Sequence, residues 1–578
     1  MSYSYYELSY DFIKRLIFVY QLPIVGLKIL GDRMAKAETA KRLTVNVAPS
    51  GFYKGFNRFV SLGAKLLIAL FIFWVAIAPT KAGDILVAIQ TGTVKLFGGW
   101  YMYVTFFFVL VCLGLAIIPK SGKLRLGQSD ERPEFSNFSW FSMMFGAGIG
   151  VGMLTYSTAE PIFHFANNPD VIKGIAEAQS AENVRLAYKW ATFHYALTPW
   201  ACYGIVGMAL AYFSYNRGQP LTIRSGLTPL FGNRLSGPLG HVIDIVAIIA
   251  TISGVGVTIG YGVSQFASGI FNITGAGWIT ADDGKPALSA QLIALVIIMA
   301  ASVISACSGV KKGIKWLSNI NMGLSFFLLI FFVVFGATLF AFKSFFLAIW
   351  DYLLAFPQMS LSVWSSSGDE TDKALASWQA AWSVFYWAWW IGFAPFVGLF
   401  LARVSRGRTI REYVFGAMLV PTLMCLTWFA LIGGTAIDLE LSGFAKGAIV
   451  NADISAQLFE TINLLLTPTF AALMSFVIVV LLLTYLVTSA DSAILIINTI
   501  SSADGSKHKH AKHIIVWGIV LTGVIAVLLI AGGMGALRSV MIIGALPFSL
   551  VMALMAVGLL KTLLFDIKDA GDSPVDTQ

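Results

Sequence analysis

Two stretches of this chain gather aromatic side chains in the middle of apolar segments. In "HYALTPWACY" (194–203), Tyr195, Trp200 and Tyr203 fall within about 140° of one face of a helix that turns about 100° per residue. In "WAWWIGFAPFVG" (387–398), Trp390 and Phe393 continue a stripe begun by Tyr386 at i, i+4, i+7, with Trp389 beside it. Ring faces hold quaternary ammonium groups by cation–π attraction, roughly 0.5–2 kcal/mol per ring. A methylated cation has no N–H to donate, so ring faces suit it better than carboxylates do. Ordinary aromatic packing explains any one of these residues; the set gains meaning from what accompanies it.

What accompanies it is glycine. "GAGIGVG" (146–152) places four glycines in seven positions, each costing a helix about 1 kcal/mol relative to alanine. In lipid, non-helical backbone is tolerated only where it is buried in protein or lines a cavity. There, freed carbonyls can ligate a cation and half-helix N-termini can receive an anion. The 387–398 stretch carries a second flaw, Gly392 and Pro395. Interrupted segments at matching places in two halves indicate an inverted-repeat transporter with a site near the midplane. Close packing of helices through small residues is the competing reading.

Spanning helices must hold these residues. Of 578 residues, 57% are hydrophobic and 12% charged, and the mean hydropathy is +0.78. Apolar runs of about 20 residues recur along the whole length, as a polytopic membrane protein requires. Twelve spans are expected near 60–80, 98–118, 138–166, 188–214, 240–271, 288–306, 316–341, 378–401, 413–436, 467–498, 514–533 and 540–563. The flawed third and eighth spans each open a run of five. Most of the 39 Lys and Arg residues fall on one side if both termini are cytoplasmic, as the positive-inside bias demands. Residues 1–55 then form a basic cytoplasmic arm, with 16–30 lying along the membrane surface. Residues 56–565 form the transport domain and 566–578 a short tail. The stretches 179–191 and 345–359 read as surface-lying helices, and Cys112, Cys202, Cys307 and Cys425 as small core residues rather than disulfides.

The net charge of +9 follows from this topology. "KHKHAKH" (507–513) and "RVSRGRTIR" (403–411) read as inner loops facing an anionic leaflet, not as nucleic-acid or metal sites. No HExxH, GxSxG or P-loop occurs, which argues against an enzyme. No ring of acids or repeated carbonyl filter occurs, which argues against a channel.

With these residues assembled, the chain resembles the betaine/carnitine/choline transporter family. The resemblance rests on "RPEFSNFSWFSMMFGAGIGVGM" (132–153), "AEPIFHF" (159–165), "FYWAWWIGFAPFVGLFLARVSRGRTIREYVFG" (385–416) and "VTSADSA" (487–493), and covers roughly residues 50–565. It implies an all-α LeuT-type 5+5 inverted repeat (helices 3–7 and 8–12) preceded by two extra helices, usually assembled as a homotrimer in the cell inner membrane. Relatives move betaine, carnitine, choline or related zwitterions, mostly by sodium symport; some are proton-coupled and some are sodium-independent exchangers. The implied aromatic box is Tyr195, Trp200, Tyr203, Trp389, Trp390 and Phe393, although Tyr195 and Phe393 stand where relatives commonly have tryptophan. Gly148, Gly150 and Gly152 would lie beside the substrate carboxylate. Choline-transporting relatives can carry an acid near the last of these, so neutral Gly152 favours a zwitterion. Thr488 and Ser489 match the hydroxyl pair of a sodium site completed by carbonyls near Gly146, Ala147, Ile149 and Tyr485, while bonding of those hydroxyls back to their own helix is the alternative. A second sodium site would involve Thr251 and Phe396, but Val255 stands where a hydroxyl is expected, and Thr258 would face the substrate instead. Sodium-independent relatives can place a basic side chain from span 5 where the ion would sit; Asp244 to Phe271 contains no Lys or Arg. Glu160 would order an outer-side turn and Asp491 would brace the sodium site, or both would only satisfy backbone groups. No cofactor beyond the coupling ion is implied, and the expected role is osmoprotection.

Overall fold

The computed structural model describes residues 42–148, 150–308, 313–502 and 511–572. Most of the basic arm and the end of the tail lie outside the described residues. The principal helices are α1 (Arg58–Ile77), α2 (Pro79–Ile117), α3 (Asn137–Gly148), α4 (Val151–Ala166), α5 (Ala181–Tyr195), α6 (Leu197–Ala211), α7 (Pro238–Thr274), α8 (Leu288–Ser308), α9 (Gly313–Phe335) and α10 (Thr338–Leu361). They continue with α11 (Glu370–Gln379), α12 (Phe385–Val404), α13 (Ile410–Trp428), α14 (Pro468–Ser502) and α15 (Ala511–Asp572). Their ends follow local chemistry. Asn57 accepts from the Val60 N–H to start α1, Thr409 and Glu412 form a capping box at α13, and Gly275 ends α7 at φ +64°, where a side chain would be strained.

Among the described residues, eleven helices are long and apolar enough to cross a membrane. Nine correspond to single expected spans. The last two expected spans are the two helical halves of α15, separated where Gly532 and Gly533 leave helical dihedrals. The third span is divided into α3 and α4, each too short alone. The eleventh is α10, expected along the surface, which meets the same criterion of length and composition. Outward faces are apolar, as lipid demands: on α1, Leu62, Leu66, Leu70 and Phe73 are exposed while Val60, Ala64, Ile68 and Val75 are buried.

Several expectations need correction. The stretch 179–191 is not a surface helix. It belongs to α5, which buries Val184, Ala187, Tyr188 and Trp190 and runs on into α6. Cys307 is exposed, unlike the other three cysteines. Of the arginines of 403–411, Arg403 and Arg406 are exposed, as expected of a surface loop, while Arg408 is taken up by protein. Arg408 is buried, donates to Asn137 Oδ1 at 2.8 Å and Phe135 O at 2.9 Å, and lies 4.0 Å from the Trp140 ring centroid. Arg406 pairs with Glu131 at 2.5 Å, and Arg411 donates to Ala116 O at 2.8 Å. The last carbonyls of a helix need donors, and Arg411 supplies one at the end of α2.

The eighth span is also not interrupted where expected. α12 stays helical through Gly392 and Pro395; its irregularity is a π-helical turn at Ala380–Val384, joining α11 to α12. Gly392 serves contact instead: a Cβ there would stand 3.2 Å from Ala250 O and from the Cα of Gly254. A Cβ on Gly254 would in turn stand 3.0 Å from the Gly392 carbonyl carbon. On the opposite flank a Cβ on Gly207 would approach Gly398 O at 3.0 Å. α12 is thus packed closely between α6 and α7, with glycine at both crossings, as small-residue packing predicts.

Candidate functional site

The expected break in span 3 is present. α3 ends at Gly148, and Gly150 is extended (φ −154°, ψ −158°) before α4 begins. Ile149 lies outside the described residues, and of Gly146, Ala147 and Gly148 only the helical backbone is described.

A second break lies in span 4, where one continuous helix over 188–214 is expected. Ala196 leaves the helical region (φ −83°, ψ −121°) between α5 and α6. The cause is three residues on. In a continuous helix the carbonyl of Tyr195 would accept from the N–H of residue 199, and Pro199 has none; its ring also crowds that carbonyl. Buried carbonyls need donors, and two indoles supply them. Trp200 Nε1 donates to Tyr195 O at 3.1 Å, and Trp390 Nε1, from α12, donates to His194 O at 3.1 Å. The 140° face drawn through Tyr195, Trp200 and Tyr203 therefore does not exist as a single helical face. The kink brings these rings together instead.

Around Trp390 the rings stand edge-on. Tyr195 lies 5.2 Å away at 77° and Tyr203 6.3 Å away at 87°; Trp200 meets Tyr203 at 5.6 Å and 80°. Trp389 is nearly parallel to Trp390, with centroids 5.4 Å apart and planes 4° apart, but it faces the other side of α12. There it meets Tyr156 and Tyr261, each at 5.8 Å, and a Cβ on Gly152 would stand 3.4 Å from its Cη2. Its Nε1 donates to Thr258 Oγ1 at 3.0 Å, so Thr258 fixes an indole. Phe393 does not join this set; its ring contact is with Phe396 at 5.9 Å, and it abuts Gly254. The six expected aromatics therefore divide into a cluster of Tyr195, Trp200, Tyr203 and Trp390, a Trp389 wall, and a separate Phe393.

At the expected sodium position, Ser489 on α14 faces the span-3 break: its Oγ lies 3.8 Å from where a Gly150 Cβ would be. Thr488 Oγ1 donates back to Thr484 O or Tyr485 O, at 3.0 and 3.1 Å, and accepts from Asn321 Nδ2 at 3.1 Å. Tyr485 OH shares a hydrogen with Ser325 Oγ at 2.6 Å. In the second expected site the Thr251 hydroxyl donates to Ala247 O at 2.8 Å within its own helix. Asp491 accepts from Ser305 Oγ at 2.6 Å and from Ser492 Oγ at 3.0 Å.

One buried constellation escaped the sequence reading. Glu160 Oε1 lies 2.6 Å from His194 Nδ1 and 3.3 Å from His164 Nε2, and Oε2 accepts from Tyr386 OH at 2.5 Å. His194 Nε2 reaches Ser383 Oγ at 3.0 Å. All three ionisable groups are fully buried. Glu160 and His164, at i and i+4, were visible as neighbours in the sequence; the contributions of α5 and α12 were not. The cluster sits behind the aromatic set, because the Tyr386 ring stacks on Trp389 at 6.0 Å and on Trp390 at 5.6 Å.

Comparison with known proteins gives a consistent set of relatives. The family described as betaine/carnitine/choline family transporter matches residues 59–567. The chain is 36% identical over 499 residues to the glycine betaine transporter OpuD of Bacillus subtilis, covering 86% of this chain and 92% of that one. It is 35% identical over 511 residues to a glycine betaine/proline/choline/ectoine transporter of Vibrio parahaemolyticus, covering 88% and 87%. A transporter of Haemophilus influenzae named only as uncharacterized is 37% identical over 515 residues, with 89% and 74% covered.

Proposed function

The chain belongs to the betaine/carnitine/choline transporter family, and from that premise we propose that it imports a zwitterionic quaternary ammonium or sulfonium solute of the glycine betaine kind by sodium symport. It is a transporter and not an enzyme. One observation carries the solute class: the kink at Ala196 turns Tyr195 and Tyr203 edge-on to Trp390, while two indole N–H groups are held by the carbonyls the kink frees. Indoles fixed at their N–H end can offer their faces to a methylated onium without a competing donor. The glycine stretch Gly148, Gly150 and Gly152 would receive the carboxylate, and its proximity to Trp389 supports that assignment.

Sodium coupling is supported by Ser489 facing the span-3 break and by the absence of Lys and Arg from 244–271. The ion would join the broken span 3 to α14 through Ser489, Thr488 and carbonyls of Gly146, Ala147, Ile149 and Tyr485. Thr488 must then turn its lone pairs from its own helix toward the ion. One ion per cycle is proposed, since Thr251 is engaged within α7. Alternating access would rock the helices of spans 3, 4, 8 and 9 against the rest of a 5+5 repeat, in a homotrimer with both termini in the cytoplasm, serving osmoprotection.

A second reading, proton coupling, is favoured by the buried Glu160–His194 pair, which can hold one mobile proton between two elements of the transport core. Uptake of labelled glycine betaine into sealed proteoliposomes separates the readings. Sodium symport predicts uptake that needs an inward sodium gradient and persists without a pH gradient. Equal uptake in sodium-free medium overturns it.

A further inference from the structure

Arg538 lies five residues beyond Gly533, the second kinked glycine of α15, and is half-buried between α4, α7 and α12. Its Nε donates to Tyr261 OH and its Nη2 to Tyr156 OH at 3.5 Å. The guanidinium carbon is 4.7 Å from the Phe385 ring centroid and 5.3 Å from that of Tyr261. Among the described residues no carboxylate forms an ion pair with it; its electrostatic partners are the two tyrosines. A cation packed among rings without a counter-charge is costly, and donors left open beside the candidate site suit an anionic ligand. Two hydroxyls occupy two of five N–H donors, and the half-buried side chain leaves others open.

The tyrosines that hold Arg538 are the ones that wall Trp389: Tyr156 and Tyr261 each lie 5.8 Å from its ring. In the same aromatic set, Tyr386 is held by Glu160. Tyr156 and Tyr386 touch, at 5.6 Å. The ring set thus carries one acid, Glu160, and one base, Arg538, each bonded to a hydroxyl of the set. A zwitterion has the complementary dipole. We propose that Arg538, held by Tyr156 and Tyr261 at the aromatic set that Glu160 also serves, is a receptor for the anionic end of the transported solute, a carboxylate. This rests on the zwitterion assigned above. It deepens that assignment by naming a charged residue, in addition to the glycine stretch, that distinguishes a zwitterion from a simple onium cation. The guanidinium fork matches a carboxylate in two-point geometry, which lysine cannot do.

Two probes differing only in charge test this: glycine betaine, and its methyl ester, which keeps the onium and lacks the carboxylate. Calorimetric titration of the full chain in lipid nanodiscs at saturating sodium gives both dissociation constants. Arg538→Gln is expected to weaken glycine betaine about 30-fold, the scale of a lost charge-assisted bond, and to change the ester by less than about threefold. Arg538→Lys, which keeps the charge but loses the two-point fork, is expected to weaken glycine betaine by about fivefold or less and the ester by less than about twofold. If the glutamine variant does not fold, selective weakening of glycine betaine by the lysine variant upholds the inference, and equal or no weakening of the two probes overturns it. Equal weakening of both probes would mean a merely structural arginine and would overturn the inference, as would an unchanged affinity for glycine betaine. A wild-type protein that binds the ester but not glycine betaine, or neither, overturns the zwitterion reading and this inference with it. Wild-type binding of glycine betaine with no effect of Arg538→Gln overturns this inference alone.

Discussion

The kink at Ala196 makes a quantitative prediction through Trp200. Its indole N–H is the donor to Tyr195 O, at 3.1 Å, and both residues are 4% exposed. Trp200→Phe keeps a ring and removes the donor. A buried carbonyl left without a partner costs about 1–3 kcal/mol, so the wild-type background is expected to lose about 2 kcal/mol. Pro199→Ala changes the reason for that cost. Alanine restores an N–H one turn from Tyr195 and removes the ring that crowds its carbonyl, and a proline within a helix is about 3 kcal/mol less favourable than alanine. In that background the Tyr195 carbonyl has a backbone donor, and Trp200→Phe should cost less than about 1 kcal/mol. The four proteins form a double-mutant cycle with an expected coupling of about 1–2 kcal/mol. Denaturation by SDS in mixed micelles measures stability, and betaine titration measures binding. Pro199→Ala should also weaken betaine binding, because a straightened helix rotates Tyr195 away from Trp390. Additive stabilities within about 0.5 kcal/mol, or a Pro199→Ala protein that binds betaine as tightly as wild type, would refute the reasoning.

Three further outcomes are expected. Gly254→Val places its side chain against the backbone of Gly392 and the ring of Phe393; overpacking of this kind costs about 1–3 kcal/mol, and the same denaturation assay should show it. Asp244→Asn weakens the fully buried pair with Arg224, whose Nη2 and Nε lie 2.7 and 2.8 Å from Oδ2; a lone buried charge costs about 3–5 kcal/mol, so folded yield should fall sharply, whereas Lys373→Gln, in the exposed pair with Glu370, should leave it unchanged. Ser489→Ala should raise the sodium concentration for half-maximal uptake severalfold while leaving betaine affinity at saturating sodium near wild type; an unchanged sodium dependence would remove Ser489 from the ion's ligands.

Family, membrane class and the existence of most spans were legible in the sequence, because each depends on a property that accumulates along the chain. Twenty apolar residues must leave water wherever they are, and four glycines in seven weaken a helix whatever surrounds it; the span-3 break was therefore readable. Local chemistry alone misjudged the other helix-breaking signals. Gly392 and Pro395 looked like a break and are a packed crossing, because Gly254 waits on α7 to fill the space beside them. Pro199 drew no notice and sits at a real kink, because indole donors from residues 200 and 390 make the broken backbone tolerable. Whether a weak point in a helix opens or closes depends on which partner group the rest of the fold brings to it. The same holds for charge. Glu160 and Arg538 are isolated letters in the sequence, and only packing brings both to hydroxyls of one group of rings. Hydrogen bonds and short-range electrostatics act over a few ångströms in space, and residues 160, 194, 386 and 538 become neighbours only once the helices have assembled.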